Sequence, residues 1–259
     1  MATAFESVLE CVNLTSGYDY IPVVNDISLA IKPRQVCGLL GRNGAGKTTL
    51  LNTLLGFIRP MCGHVRLFGQ DLSRMALHRI AQQGVSYVPD TRGLFQHMTV
   101  AENLKLCQMR FPNSLSIENV LDLATHLRGR LNVRAGNLSG GEQQMLAIAQ
   151  SVIVKPRLLV VDEFSEGLQP DFIPRVIDFL HSLREETGMA MLVVEQRLRI
   201  AQALCDWVFV MEKGSIVMSF DMTGLEGHME AVIGYLAFQQ NSQCGPITIS
   251  DTDCSKERH

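Results

Sequence analysis

A chain of 259 residues can hold one large domain, or a domain with a subdomain, and its 46% hydrophobic and 19% charged content suits a packed core. The formal charge of −3 carries no basic excess, so a large nucleic-acid footprint is not expected. No apolar stretch approaches the roughly 20 residues of a membrane span and no basic-then-apolar signal peptide opens the chain, while seven scattered cysteines without C-x-x-C pairs fit reduced thiols.

Residues 8–29 read as β-strands crossing a turn at 16–19. Residues 36–40 form an apolar, strand-like run, and 49–55 carry no breaker and read as a helix. Between them stand Gly41, Arg42, Asn43, Gly44, Ala45, Gly46, Lys47 and Thr48, a complete G-x-x-x-x-G-K-[ST] phosphate-binding loop in the strand-to-helix context it requires. The glycines let successive backbone N–H groups converge on phosphate oxygens, and the helix N-terminus adds a favourable dipole. Lys47 would reach the β- and γ-phosphates, and the Thr48 hydroxyl would ligate Mg²⁺. The loop therefore predicts a nucleoside triphosphate site.

Residues 63–70 alternate and end in a turn, as a strand of an antiparallel part would. Residues 85–90 give a short strand ending at Pro89, after which the pattern turns helical as far as about Pro156. Thr99 and Glu102 make a capping box, Ser116 opens a second helix, and Ser139 with Glu142 caps a third. The chain then returns to α/β order. An apolar strand ends in Asp162-Glu163, residues 171–184 are helical, 189–194 are a buried strand and 198–205 a helix. Residues 207–211 and 216–218 read as a hairpin, and 226–238 as a last short helix. From Gln239 onward the composition is polar and aperiodic, which predicts a disordered tail.

Asp162, at a strand's carboxyl end, can hold Mg²⁺, and Glu163 can polarise an attacking water. Leu138-Ser139-Gly140-Gly141-Glu142-Gln143 precedes them. In this order the three motifs resemble the ATP-binding-cassette (ABC) ATPases, whose own signature is LSGGEQ, and the resemblance covers about residues 9–238. It implies an α/β P-loop NTPase fold of the ABC ATPase type. A mixed sheet core and an antiparallel β part would occupy residues 1–239, with a helical signature subdomain inserted at about 90–156 and the tail at 240–259.

Further roles follow from the resemblance. An aromatic stacked on adenine matches Tyr18 by register, with Tyr20 as its competitor. Nucleotide contacts extend to Thr49, and Ser139, Gly140, Gly141 and Gln143 would face the ATP held by a second ATPase subunit in a head-to-tail dimer. Hydrolysis would use Glu163 as base, with Asp90 and Gln196 at the two switch positions. Those two depart from the family, which usually has Gln and His there. Asp90 is an acceptable Mg²⁺ ligand, one methylene shorter than Gln and charged, whereas the Gln196 amide donates but is neutral. Phe164, where Pro usually stands, and Glu166 depart as well.

Val194-Glu195-Gln196, Arg92-Gly93-Leu94-Phe95 and residues 98–104 look like one subfamily, the second ATPase of branched-chain amino-acid importers and their amide and urea relatives. The implied assembly has separate transmembrane permease subunits, a second, different ATPase and, indirectly, an extracytoplasmic binding protein. Its place would be the cytoplasmic face of the inner membrane. An ATPase for export or lipid extraction, a weakly hydrolysing nucleotide-gated subunit, and a soluble ABC ATPase of translation or repair are the alternatives.

Overall fold

The computed structural model describes residues 7–72, 75–111 and 114–222, so the helix expected at 226–238 and the tail at 240–259 lie outside the described residues. In chain order the elements are β1 (Leu9–Tyr18), β2 (Ile21–Ile31), β3 (Val36–Leu40), α1 (Lys47–Leu54), β4 (Cys62–Leu67) and β5 (Gln70–Asp71). Next come α2 (Leu77–Gln82), β6 (Val85–Val88), α3 (Val100–Arg110), α4 (Ile117–Leu123) and α5 (Gly140–Ile153). The rest are β7 (Leu158–Asp162), α6 (Ile173–Thr187), β8 (Ala190–Glu195), α7 (Leu198–Leu204), β9 (Trp207–Glu212) and β10 (Ser215–Asp221).

Two sheets organise these elements. One is antiparallel, in the order β2-β1-β4-β5. The other runs β10-β9-β3-β8-β7-β6, parallel throughout except where β10 pairs antiparallel with β9, which makes it mixed. Every residue of β3, β7 and β8 is buried, which explains their unbroken apolar runs: a parallel strand covered on both faces has no solvent side to leave polar. Leu50, Leu51 and Leu54 of α1 join a core cluster that includes Leu14 and Ile27 of the antiparallel sheet and Leu192 and Val194 of the parallel one. Burial of each such side chain stabilises by about 1.5–3 kcal/mol, so α1 is held firmly behind the loop that precedes it.

The turn of the first hairpin falls at Asp19 and Tyr20, later than the expected 16–19. Both residues are left-handed, with φ 48° and 65°, the pattern of a two-residue type I′ turn. Ser16 and Gly17 stay in the strand because Ser16 is fully buried and accepts a 2.8 Å hydrogen bond from the Thr53 hydroxyl, while register shifts absorb Gly17. The helix expected from residue 171 is preceded by a 3₁₀ turn at Pro170–Phe172 and stops at Gly188, whose φ of 64° suits a C-cap.

Both capping boxes form. The Thr99 hydroxyl accepts from Glu102 N at 3.2 Å while Thr99 N donates to the Glu102 carboxylate at 2.7 Å, and Ser139 with Glu142 does the same at 3.3 and 2.9 Å. Among the described residues no helix is long and apolar enough to cross a membrane.

The parallel register decides where chemistry is possible. Leu40 lies opposite Glu195, and Asp162 opposite Val194, so the loops after β3, β7 and β8 leave the sheet side by side. In open α/β sheets the carboxyl ends of the strands are where ligands bind.

Candidate functional site

The loop after β3 wraps around one cation. Lys47 is 4% exposed; its Nζ donates to the Gly41 carbonyl at 2.9 Å and the Arg42 carbonyl at 3.3 Å, and lies 3.0 Å from Glu163 Oε1. Arg42, Asn43, Gly44 and Thr48 are exposed, whereas Gly41, Ala45 and Thr49 are buried. Gly44 has a φ of 81° and open space where a Cβ would stand. Gly46, at φ 102°, is the N-cap of α1 and makes no side-chain cap, and the first turn of α1 carries no acid. Neither the N-cap nor an acid of the first turn thus competes for the first N–H groups of this helix, an arrangement suited to phosphate oxygens.

Behind the loop, the tip of the β9–β10 hairpin acts as a brace. Gly214 N donates to the Ala45 carbonyl at 2.9 Å, and its own carbonyl accepts from Asn25 N at 2.8 Å. The sequence offered only a hairpin turn here, with no sign that it touches residues far earlier in the chain.

Glu163 and Gln196 meet at the loop. The Gln196 amide donates to Asn43 Oδ1 at 2.8 Å and to Glu163 Oε2 at 3.1 Å. Burial works to raise the Glu163 carboxyl, but hydrogen bonds from Lys47, Glu166 and Gln196 outweigh it and hold it below the usual carboxylate range. Hydrogen bonding to Glu163 and its charge push Glu166 the other way.

Asp162 is buried and accepts a 3.3 Å hydrogen bond from the Tyr87 hydroxyl. Burial, then the charges of Glu163 and Asp90, push it up to about 6, against the lowering effect of Tyr87 and Lys47. Tyr87, raised by its own burial and by Asp162, stays a neutral donor. Its part in the site was missed from sequence, although its place in β6 beside Val160 of β7 fixes it there. Asp90 is exposed, with Oδ1 accepting from Thr91 N at 2.7 Å.

The structure does not bring the signature to this cluster. Ser139 is used in its own capping box, and a Cβ on Gly140 or Gly141 would meet Arg92, Gly167, Leu168 or the Phe172 ring, none of them in the phosphate loop. Gln143 is turned inward, donating to the Ala135 and Leu138 carbonyls and accepting from Arg92 at 2.7 Å. Arg92 also reaches Gln144 Oε1 at 3.3 Å, tying the loop after β6 to α5. Tyr18 ends β1 half-exposed, while Tyr20 sits in the turn almost wholly in solvent.

The carboxyl ends of the parallel strands therefore carry a glycine-rich loop, a buried cation and a carboxylate beside it, with Asp162 close enough to Glu163 and Asp90 to feel their charges. A glycine-rich loop before a helix, a lysine and a nearby carboxylate are groups that phosphoryl transfer to water can use. The sequence model of the ABC transporter family matches residues 24–166. A high-affinity branched-chain amino acid transport ATP-binding protein, BraG, of Pseudomonas aeruginosa is 38% identical over 79% of this chain and 89% of its own. The probable branched-chain amino acid transport ATP-binding protein LivF of Archaeoglobus fulgidus is 31% identical over 82% and 91%, and the lipopolysaccharide export ATP-binding protein LptB of Escherichia coli 28% over 82% and 89%. Among solved structures, an ATP-binding subunit of an ABC transporter aligns with a TM-score of 0.76 and 24% identity, over 89% of this chain and all of its own.

Proposed function

Since the chain belongs to the ABC transporter family of ATPases, we propose that it is the ATP-hydrolysing subunit of an importer for branched-chain amino acids or related small amides. The observation that carries the hydrolytic part is the meeting of Lys47, Glu163, Gln196 and Asn43 beside the phosphate loop. In this reading the loop N–H groups and Lys47 hold the β- and γ-phosphates, and Tyr18 stacks on the adenine. Glu163 takes a proton from water as the water oxygen bonds to the γ-phosphorus and the bond to the leaving oxygen of ADP breaks.

The Lys47–Glu163 pair gives the site a resting state. While Lys47 faces Glu163, the carboxylate is a weak base; when phosphates draw Lys47 away, its basicity rises. Gln196 supplies a neutral donor from the other side. Thr48, Asp162 and Asp90 fit Mg²⁺, since Asp162 is a buried acid beside two more acids and gains from a cation. Bound there, Mg²⁺ would neutralise charge developing on the phosphates.

Ser139, Gly140 and Gly141 stand apart from this chain's own loop, which supports their service to an ATP bound by a second subunit. The Pseudomonas aeruginosa relatives carry two such names, BraG and BraF, and a pair of different ATPases fits the altered switches at Asp90 and Gln196. Permease subunits would be separate polypeptides, and the chain would lie at the cytoplasmic face of the membrane. The likeness to LptB favours export of a lipid as a second reading. Purification of the complex from its native source, identification of its subunits and reconstitution in vesicles tests both. ATP-driven uptake of labelled leucine supports the importer and extraction of lipid overturns it; two copies of this chain alone overturn the pairing with a different ATPase.

A further inference from the structure

Glu195, the last residue of β8, is buried, with 2% of its surface exposed, and the hydrolytic steps above make no use of it. A carboxylate in such a place is retained only when donors replace the water it has lost. Here three do. Ser165 N donates to Oε1 at 3.1 Å, the Ser165 hydroxyl to Oε2 at 2.9 Å, and Gln196 N to Oε2 at 3.3 Å. Ser165 is itself buried and stands two residues after Glu163.

Glu163 needs such support. Its φ of 43° is left-handed, a conformation that a residue with a Cβ keeps only where its surroundings over-determine it. Two consecutive residues of β8 provide that constraint. Glu163 N donates to the Val194 carbonyl at 2.9 Å on one side, and Ser165 is fixed by Glu195 on the other. The same carboxylate holds the backbone of Gln196, whose amide reaches Glu163 and Asn43.

We propose that Glu195 is a positioning residue for ATP hydrolysis: by anchoring Ser165 and Gln196 together it keeps Glu163 aimed at the attacking water. The role rests on Glu163 being the base. Glu195 acts through these two neighbours, so its loss lowers kcat and leaves nucleotide binding in place.

The test is made on the full-length chain, with kcat and KM for ATP, affinity for a fluorescent ATP analogue, and thermal melting recorded for each variant. Glu195→Ala is expected to lower kcat at least about tenfold with KM changed by less than about threefold. Ser165→Ala is expected to move kcat the same way by less, and Glu195→Gln, which keeps the shape and an acceptor, to recover most of the rate. In Glu163→Gln, adding Glu195→Ala is expected to cost nothing more, because the group it aims is already gone. Wild-type kcat in Glu195→Ala, or a further independent drop in the double variant, overturns the proposal. If Glu195→Ala does not fold, Ser165→Ala decides by the same split of kcat from KM. Wild-type turnover in Glu163→Gln removes the base assignment itself and is read separately from the Glu195 variants.

Discussion

Lys47 Nζ lies 3.0 Å from Glu163 Oε1, and the cation that should hold phosphate is thereby paired with the acid that should attack it through water. Lys47 is almost fully buried, where an unpaired charge would be costly, so the partner carboxylate and the Gly41 carbonyl stabilise the loop until phosphates take their place. If Lys47 holds phosphate as proposed, its replacement removes a charge-assisted hydrogen bond to the nucleotide, an interaction worth about 1.5–3 kcal/mol. Lys47→Ala is therefore expected to weaken ATP binding by roughly 10- to 150-fold, measured by titration with a fluorescent analogue. Unchanged affinity would mean that the loop binds through its backbone alone.

Gly214 connects the hairpin tip to the phosphate loop, and its φ of 86° and surroundings admit no side chain. A Cβ there would stand 2.1 Å from the Val23 carbonyl oxygen. Gly214→Ala is expected to destabilise the fold by about 1–3 kcal/mol and to weaken nucleotide binding, because Gly214 N braces Ala45. A melting curve and an ATP titration on the same sample check this. A stability loss with wild-type affinity would show that the brace does not shape the loop.

Much of this site was legible in the sequence because its signals are local. Gly41 to Thr48 are contiguous, and the capping boxes at Thr99 and Ser139 span four residues each, so spacing alone located them. The turn at Asp19 and Tyr20 was misplaced because burial of Ser16 against Thr53, 37 positions away, outweighs the turn preference of Ser-Gly. Contacts that assemble the site are longer still: Gln196 meets Asn43 across 153 positions and Tyr87 meets Asp162 across 75. No period or motif encodes those distances. Glu195 did leave a trace, an acid ending an otherwise apolar strand, but its anchoring role depends on where Ser165 lies in the fold.

Glu142 gives α5 a pH-dependent cap. Burial tends to raise its carboxyl, but donation from Ser139 N and the Ser139 hydroxyl, with Arg130 beside it, holds it below the ordinary value. A carboxylate with a depressed pKa in the fold contributes stability that is fully present above the unfolded value, near 4.3, and is lost as pH falls through the folded one. Glu142→Gln, which keeps the box but loses the charge at the helix N-terminus, is expected to lower stability at pH 7 by about 0.3–1 kcal/mol and to show a shallower loss on acidification below about pH 4.5 than the native chain. Chemical denaturation across pH 3–7 (about this span, set by the carboxylate range) checks it. Parallel acid profiles for the two proteins would show that the cap does not titrate with folding.

Glu163 carries the account as a whole. The most direct measurement compares native chain and Glu163→Gln for ATP binding and for phosphate release with ATP and Mg²⁺ in excess. Gln keeps the shape and still reaches Lys47 and Gln196, but cannot accept a proton from water. Binding is expected to be equal or tighter, since the ion pair that competes with phosphate for Lys47 is gone, and turnover to fall at least about a hundredfold. Phosphate release at the native rate in Glu163→Gln would contradict the central claim.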